Sequence, residues 1–315
     1  DFQGIREATI LSILLVVVVS VALVLQKAIL KSGSYDIIKG KSMRPTVIKL
    51  RSAKIPLLII SIVTLVIIVV VPLGMIFLVG LLKSYGLPLV PSNFDFSNYT
   101  NILFNNKMVR DGVSNSLILA VSSGIFAMLL GVMIAYVIIK IKPKGKGALE
   151  FLATLPYSLP GTVLAIGVIL AWSGKILNIN LYNTLWIIFI AYIARYLSFS
   201  MNAASAALRQ VHPSLEEASR SCGASHTESL KDITLPLIRP AMLSGFFLIF
   251  LPAMRELTTS SLLYGPYTRT LGVAIYMLRS DGYITQASAL ATLTILLIVV
   301  VNWIINFITK ERKGV

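Results

Sequence analysis

The stretch Pro213-Ser214-Leu215-Glu216-Glu217-Ala218-Ser219-Arg220-Ser221-Cys222-Gly223-Ala224-Ser225-His226-Thr227-Glu228-Ser229-Leu230-Lys231-Asp232-Ile233-Thr234-Leu235-Pro236 is a polar island between two long apolar runs. Pro213 and Ser214 open a helix, and Glu216 and Glu217 fall in its first turn, where the helix dipole favours negative charge. Gly223 suits a left-handed helix cap, and Leu235-Pro236 marks where the next apolar run begins. The island is too polar for hydrocarbon. It reads as a structured loop over 206–236, outside the bilayer, and the runs beside it read as membrane spans. The plain alternative is a generic linker.

Working outward, seven apolar runs cover 8–30, 56–82, 113–139, 148–172, 181–203, 237–264 and 284–308. Each is long enough for a ~30 Å hydrocarbon layer at ~1.5 Å of rise per residue. The chain is 56% hydrophobic and 13% charged, against about 25% charged in a soluble domain. Barrel strands would be about ten residues long and alternating, so the spans are helices. The fold class is all-α, a polytopic membrane helix bundle.

The net charge of +15 is no nucleic-acid footprint, because the basic residues lie between apolar runs rather than on a soluble face. The single Cys222 excludes an internal disulfide, and His212 and His226 lack partners at metal-ligand spacing. No metal and no cofactor are expected.

Lys and Arg set the orientation. With the N-terminus outside, the basic segments 27–54, 140–146, 209–239 and 310–313 all fall inside. The outside keeps scattered cations such as Lys83, Lys107 and Arg269. The first run is too long for a signal-peptide core, and no small-residue cleavage site follows it. Residues 5–12, Ile-Arg-Glu-Ala-Thr-Ile-Leu-Ser, echo 284–291, Ile-Thr-Gln-Ala-Ser-Ala-Leu-Ala. Two readings stay open: an unrelated extra helix, or the last helix of a preceding, mostly missing unit. The expected organisation is a helix at 1–30, a basic cytoplasmic linker at 31–55 and a six-helix unit at 56–315.

The loop has a specific likeness. Glu217-Ala218-Ser219, then three residues, Gly223, nine residues and Ile233-Thr234-Leu235-Pro236 resemble the coupling loop of binding-protein-dependent ABC importer permeases. Ser219 stands where the family pattern has a second Ala. The resemblance covers 56–308 and includes Asn115-Ser116-Leu117, Ala135-Tyr136 and Leu155-Pro156-Tyr157-Ser158-Leu159-Pro160-Gly161-Thr162. It implies that the loop helix docks in a groove of a cytoplasmic ATPase, with that role on Glu216, Glu217, Ala218, Gly223, Ala224, Leu235 and Pro236. No Gly-x-x-x-x-Gly-Lys-Ser/Thr loop occurs, so hydrolysis belongs to a partner.

The implied setting is the bacterial inner membrane. The implied partners are an ATPase dimer, an extracytoplasmic substrate-binding protein and a second permease unit. ATP-driven approach of the coupling helices would rock the spans from inward-open to outward-open. Residues 254–263, continuing into 270–276, resemble the ferric-iron branch, whose members are often fused tandems. That favours the preceding-unit reading of 1–30 and ferric iron as substrate. Phosphonate, thiamine, sulfate and polyamine are the alternatives. A secondary transporter would use broken helices at midplane but leaves the coupling loop without a role. A membrane enzyme lacks any catalytic motif here.

Pro156 and Pro160 remove helix hydrogen bonds beside Gly161, which gives either a bent helix along the path or a packed kink. Arg195 and Asn202 lie in one run, and Arg255, Glu256 and Thr258 in another. Ionisable residues in a span are candidate pathway groups. Arg255 and Glu256 point apart on a helix and either line a gate or snorkel to the headgroups. The orientation is checked by single cysteines at Ser42, Ser92 and Ser225 in a Cys222→Ser background. With an impermeant thiol reagent on intact cells, only position 92 is expected to react, and strong labelling at 225 would reverse the orientation.

Overall fold

The computed structural model describes residues 10, 11, 13–22, 25, 53–174 and 178–311. Most of the 5–12 echo, the linker up to 52 and the basic tail beyond 311 lie outside these residues. The helices are α1 (Ile13–Ala22), α2 (Lys54–Leu81), α3 (Lys107–Ile141), α4 (Lys146–Ser158), α5 (Gly161–Trp172), α6 (Leu185–Gln210), α7 (Pro213–Ser221), α8 (His226–Met254), α9 (Leu271–Ser280) and α10 (Ile284–Glu311). Five of them, α2, α3, α6, α8 and α10, are long and apolar enough to cross a membrane. No strand forms among the described residues, only two isolated bridges.

Three expected boundaries move. The run 148–172 is not one straight span: α4 and α5 meet at a 112° bend. Pro160 has no N–H to give and forces Leu159 into an extended conformation, with ψ 146°. The run expected over 237–264 stops at Met254 but starts earlier, at His226. A π-type turn over Leu230–Thr234 leads α8 to Pro236, whose missing donor falls just inside the resumed α-helix. The third boundary is that of α6, which continues to Gln210, so the first residues of the 206–236 loop are helical.

The described chain forms two compact units, one of Asp1–Ser20 with Asn106–Met277, the other of Val21–Asn105 with Leu278–Val315. In the first, α3, α6 and α8 pack through small residues. Lipid gives helices no hydrophobic reason to associate, so close backbone approach and van der Waals contact must hold them. Gly131 on α3 lies directly against the Ser200 hydroxyl on α6, and a Cβ there would stand 2.7 Å from the Met201 nitrogen. The Ser200 hydroxyl donates back to the Ala127 carbonyl at 2.6 Å. Gly245 on α8 comes against the Ser200 backbone from the other side, its Cβ position 3.3 Å from the Ser200 Cα. A buried cluster including Val132, Ala135, Met201, Ala204, Leu208 and Ile238 continues this seam, with Ala153 of α4 against it.

In the second unit the end of α2 packs on α10. A Cβ on Gly80 would lie 3.0 Å from the Ala289 Cα. Asn98 Nδ2 donates to the Gly80 and Leu82 carbonyls at 3.1 and 2.8 Å, where α2 runs out of partners of its own. The first part of α2, through Val70, has no buried residue and offers apolar surface all round.

The Gly131 contact yields a stability prediction. Gly131→Val should cost about 1–3 kcal/mol or more by overpacking, read as a lowered unfolding temperature in detergent. Gly74→Ala is the control, because nothing lies within 4 Å of its Cβ position, and it should leave that temperature unchanged or slightly raised.

Candidate functional site

The segment that resembles a coupling loop is built from caps. His212 is the N-cap of α7: its Nδ1 accepts from the Ser214 nitrogen at 3.3 Å, and Pro213 takes the first helical position. Gly223 ends the segment in the left-handed region, at φ 95°. Its nitrogen donates to the Arg220 carbonyl at 3.0 Å and the Ala224 nitrogen to the Ser219 carbonyl at 3.2 Å, the paired bonds of a Schellman cap. Ser225 then opens α8 with a capping box. The Glu228 nitrogen donates to the Ser225 hydroxyl at 3.3 Å, and the Ser225 nitrogen to the Glu228 carboxylate at 2.7 Å.

One carboxylate ties this segment to the spans. Glu216 Oε1 lies 3.1 Å from the Lys140 ammonium on α3 and accepts from the Thr234 hydroxyl on α8 at 2.6 Å. Lys140 also donates to the Val211 carbonyl at 3.3 Å. The Tyr136 hydroxyl and His226 Nε2 pair at 3.0 Å beside them. Burial alone would raise the Glu216 carboxyl, but the Thr234 and Lys140 hydrogen bonds outweigh it and hold the group below the usual carboxylate range.

Glu217, Ala218 and Gly223 are exposed, Ala224 is half-buried, and Leu215 is 45% exposed on the same helix. The outer face of α7 is therefore available to a partner, while Glu216 is turned inward as the tether. Leu235 packs on the seam of α3 and α6, and Pro236 is exposed.

The candidate pathway residues separate. Glu256 lies beyond the end of α8 and is 5% exposed, so it neither sits on a span helix nor snorkels. Its Oε1 accepts from the Thr258 hydroxyl at 2.7 Å and the Thr259 nitrogen at 2.9 Å. Its Oε2 accepts from the Thr259 and Ser260 nitrogens at 3.1 and 3.0 Å and the Ser260 hydroxyl at 2.8 Å. The carboxylate thus starts the short helix Ser260–Leu263 with side-chain and backbone donors.

Arg195 Nε is 3.9 Å from Glu256 Oε1, an ion pair without a hydrogen bond, and its guanidinium lies 5.9 Å from the Tyr196 ring centre. The Tyr192 hydroxyl meets Ser260 Oγ at 3.1 Å. Gly161, first residue of α5, lies directly against the Thr258 hydroxyl, and a Cβ on it would be 2.9 Å from Thr259 Oγ1. Pro160, Gly161, Arg195, Glu256 and Thr258 therefore belong to one cluster. Arg255 and Asn202 are exposed and outside it.

Tyr192, Thr259, Ser260 and Gly272 also belong to this cluster; Thr259 and Ser260 stand in the polar part of the 237–264 run and Gly272 in the 270–276 stretch, but none is a candidate pathway residue there, and Tyr192 escaped the sequence reading altogether. A Cβ on Gly272 would stand 2.8 Å from the Glu256 carbonyl oxygen. Lys140 and Thr234 escaped it as tether partners. The only available signal was the polar run 258–261 directly after Glu256.

The Glu216 tether has a signed pH dependence. A depressed carboxyl pKa means its stabilisation is complete above the ordinary carboxylate pKa and is lost as pH falls through the depressed value. The Glu216-dependent part, read as the difference in hydrogen exchange of α7 between wild type and Glu216→Gln, should stay constant from about pH 8 to about pH 5 and disappear only below about pH 4. Glu216→Ala should destabilise the segment by about 1.5–3 kcal/mol at neutral pH, read as faster exchange over 213–221. Glu217→Ala should leave that exchange unchanged.

Comparison with known proteins meets this geometry at the same segment. The profile of the binding-protein-dependent transport system inner membrane component family matches residues 127–313. A putative 2-aminoethylphosphonate transport system permease protein, PhnV, of Salmonella typhimurium is 30% identical over 219 residues, 70% of this chain and 81% of that protein. The ferric transport system permease protein FbpB of Actinobacillus pleuropneumoniae is 32% identical over 281 residues, 87% of this chain but only 40% of that protein. Among solved structures, a bacterial ABC transporter involved in import of the acidic polysaccharide alginate shares the fold, with TM-score 0.63, 21% identity, and coverage of 82% of this chain and 94% of that one. ATP hydrolysis in such importers lies in a separate subunit. The chain belongs to the binding-protein-dependent transport inner membrane components, the permease subunits of ABC importers.

Proposed function

We propose that this chain is the permease through which ferric iron, delivered by an extracytoplasmic binding protein, crosses the membrane. Its second six-helix unit lies on the same polypeptide or in another copy. The observation that carries the substrate is the ferric relative's match over 87% of this chain, more than residues 56–315 alone can supply. That relative extends well beyond the match, consistent with a tandem of units. The match to the phosphonate permease, over 81% of its length, supports 2-aminoethylphosphonate as the second reading.

In this role α7 docks on the ATPase through Glu217, Ala218 and the Gly223 turn, while Glu216, Leu235 and Pro236 join the helix to the spans. The chain runs with its N-terminal side outside and its C-terminus in the cytoplasm, over the segments proposed from sequence: a helix at 1–30, a linker at 31–55 and the unit at 56–315. The bend at Pro160 and Gly161, held by Arg195, Glu256 and Thr258, shapes the path, and the exposed Arg255 and Asn202 give it polar surface.

The substrate test is uptake in cells carrying the full complex and no other ferric importer. Saturable, ATP-dependent uptake of labelled ferric iron is expected, with no uptake of labelled 2-aminoethylphosphonate, and the opposite pattern selects the second reading. The coupling test is Glu217→Lys and Gly223→Pro. Glu217→Lys costs α7 only about 0.3–1 kcal/mol through the helix dipole, so the helix should persist while ATPase co-purification and transport fall. Normal values for both variants would remove the docking role.

A further inference from the structure

A cavity of about 450 Å³ lies where α3 ends, α4 begins and α6 ends, inside the first unit. Its floor is apolar, with Ile138 and Leu208 both buried. Its rim carries Lys142, Lys146 and Arg209, all exposed, with Glu150 among them. None of these three cations has an ion-pair partner among the described residues, whereas the neighbouring Lys140 is committed to Glu216. Lys142 stands in the left-handed region at φ 53°, a conformation that costs a side-chain-bearing residue energy and must be held by its surroundings. It places a cation at the turn that would otherwise suit a glycine. Lys146 is the first residue of α4, whose N-terminal amides add positive potential to the same corner.

We propose that this cavity seats the headgroup of an anionic phospholipid of the inner leaflet, of the phosphatidylglycerol kind. The phosphate meets Lys142, Lys146 and Arg209, and Glu150 accepts from a headgroup hydroxyl. The apolar floor receives the first carbons of the glycerol and acyl chains. Ile139, partly buried, and Val211 line the same cavity and extend its apolar part. A basic pocket between spans on the cytoplasmic side matches the negative potential of that leaflet. A free phosphate would satisfy the cations but not the floor. The ATPase is the other candidate, and Lys142 also borders an adjoining cavity lined by Glu216, Glu217 and Arg220 of α7; Lys146, Glu150 and Arg209 line the first cavity alone, which α7 reaches only through Pro213. The proposal rests on the inside placement of residues 140–146, though not on the identity of the substrate.

The test uses the complete purified transporter in nanodiscs of phosphatidylcholine with or without phosphatidylglycerol, read by native mass spectrometry of retained lipid. Phosphatidylglycerol should be retained over phosphatidylcholine. Retention should fall about tenfold or more in the Lys142→Gln, Lys146→Gln, Arg209→Gln triple variant and be kept in Lys142→Arg, Lys146→Arg. Equal retention by wild type and the triple variant overturns the proposal, as does the absence of any preference between the lipids. Full displacement of the lipid by millimolar inorganic phosphate would show a soluble-anion site instead. Release of the ATPase by the triple variant with lipid retention unchanged would assign the cations to the ATPase. External labelling of a Lys144→Cys probe in a Cys222→Ser background would show instead that the orientation reading has failed. A failed ferric uptake assay leaves the lipid result standing.

Discussion

A peptide group in hydrocarbon has no water to bond, so this chain can leave helical conformation between its spans only where something else takes the freed donors and acceptors. The structure meets that demand with one or two side chains at three of the breaks. Where α8 stops at Met254, Glu256 takes the nitrogens of Thr259 and Ser260. Where the loop before α9 runs free, Asn115 Nδ2 donates to the Tyr267 and Arg269 carbonyls at 3.0 and 2.9 Å. The Ser116 hydroxyl beside it accepts the Leu271 nitrogen at 2.8 Å. Asn98 does the same for the end of α2. The polar residues of the spans are thus largely the terms on which the helices are allowed to end.

That constraint explains which features could be read in the sequence. The caps of α7 are local chemistry, so Pro213 and Gly223 announce them directly; the Ser225 to Glu228 capping box is as local but was not singled out from the sequence. The bend between α4 and α5 is also local, because a proline without an N–H dictates it. The end of α8 is different. Leu257 and Leu262-Leu263 carry apolar composition on past the charged pair Arg255-Glu256, and Pro252 inside the helix does not break it. What stops the helix is a carboxylate capping the next turn, which sits among Tyr192, Arg195 and Gly272 only after folding. Glutamate is an uncommon cap, so no pattern of spacing pointed to it. The partition of Glu216 from Glu217 was invisible for a related reason. Both suit the first turn of α7, and only the positions of Lys140 and Thr234 decide which one faces inward.

The buried Glu256 and the partly buried Glu216 show how one residue type can do different work. Glu256 is saturated by neutral donors, and Arg195 stands off at 3.9 Å without a hydrogen bond. Its charge is spread over backbone dipoles and hydroxyls, so the group fixes a backbone turn. Glu216 has a full cation within 3.1 Å and a single hydroxyl. It fixes one helix against two others. Removing either partner of a buried pair leaves the other charge uncompensated, which costs more than the pair itself contributes.

These contacts bear on how a push at α7 would travel. The helix is held at its start by His212, at its end by the glycine cap, and through Glu216 to both α3 and α8. Those two helices are locked to α6 at Ser200, where Gly131 of α3 and Gly245 of α8 let the backbones close on that one small residue. The far part of α3 is in turn bonded to the loop before α9 through Asn115 and Ser116. A displacement applied to α7 therefore reaches α3 and α8 through the Glu216 contacts, and α6 through Gly131, Ser200 and Gly245. Packed interfaces of this kind shift between discrete arrangements rather than deform continuously. In the proposed coupling role, the small residues at the seam matter for that reason: they make the first unit move as a body when an ATPase moves its coupling helix.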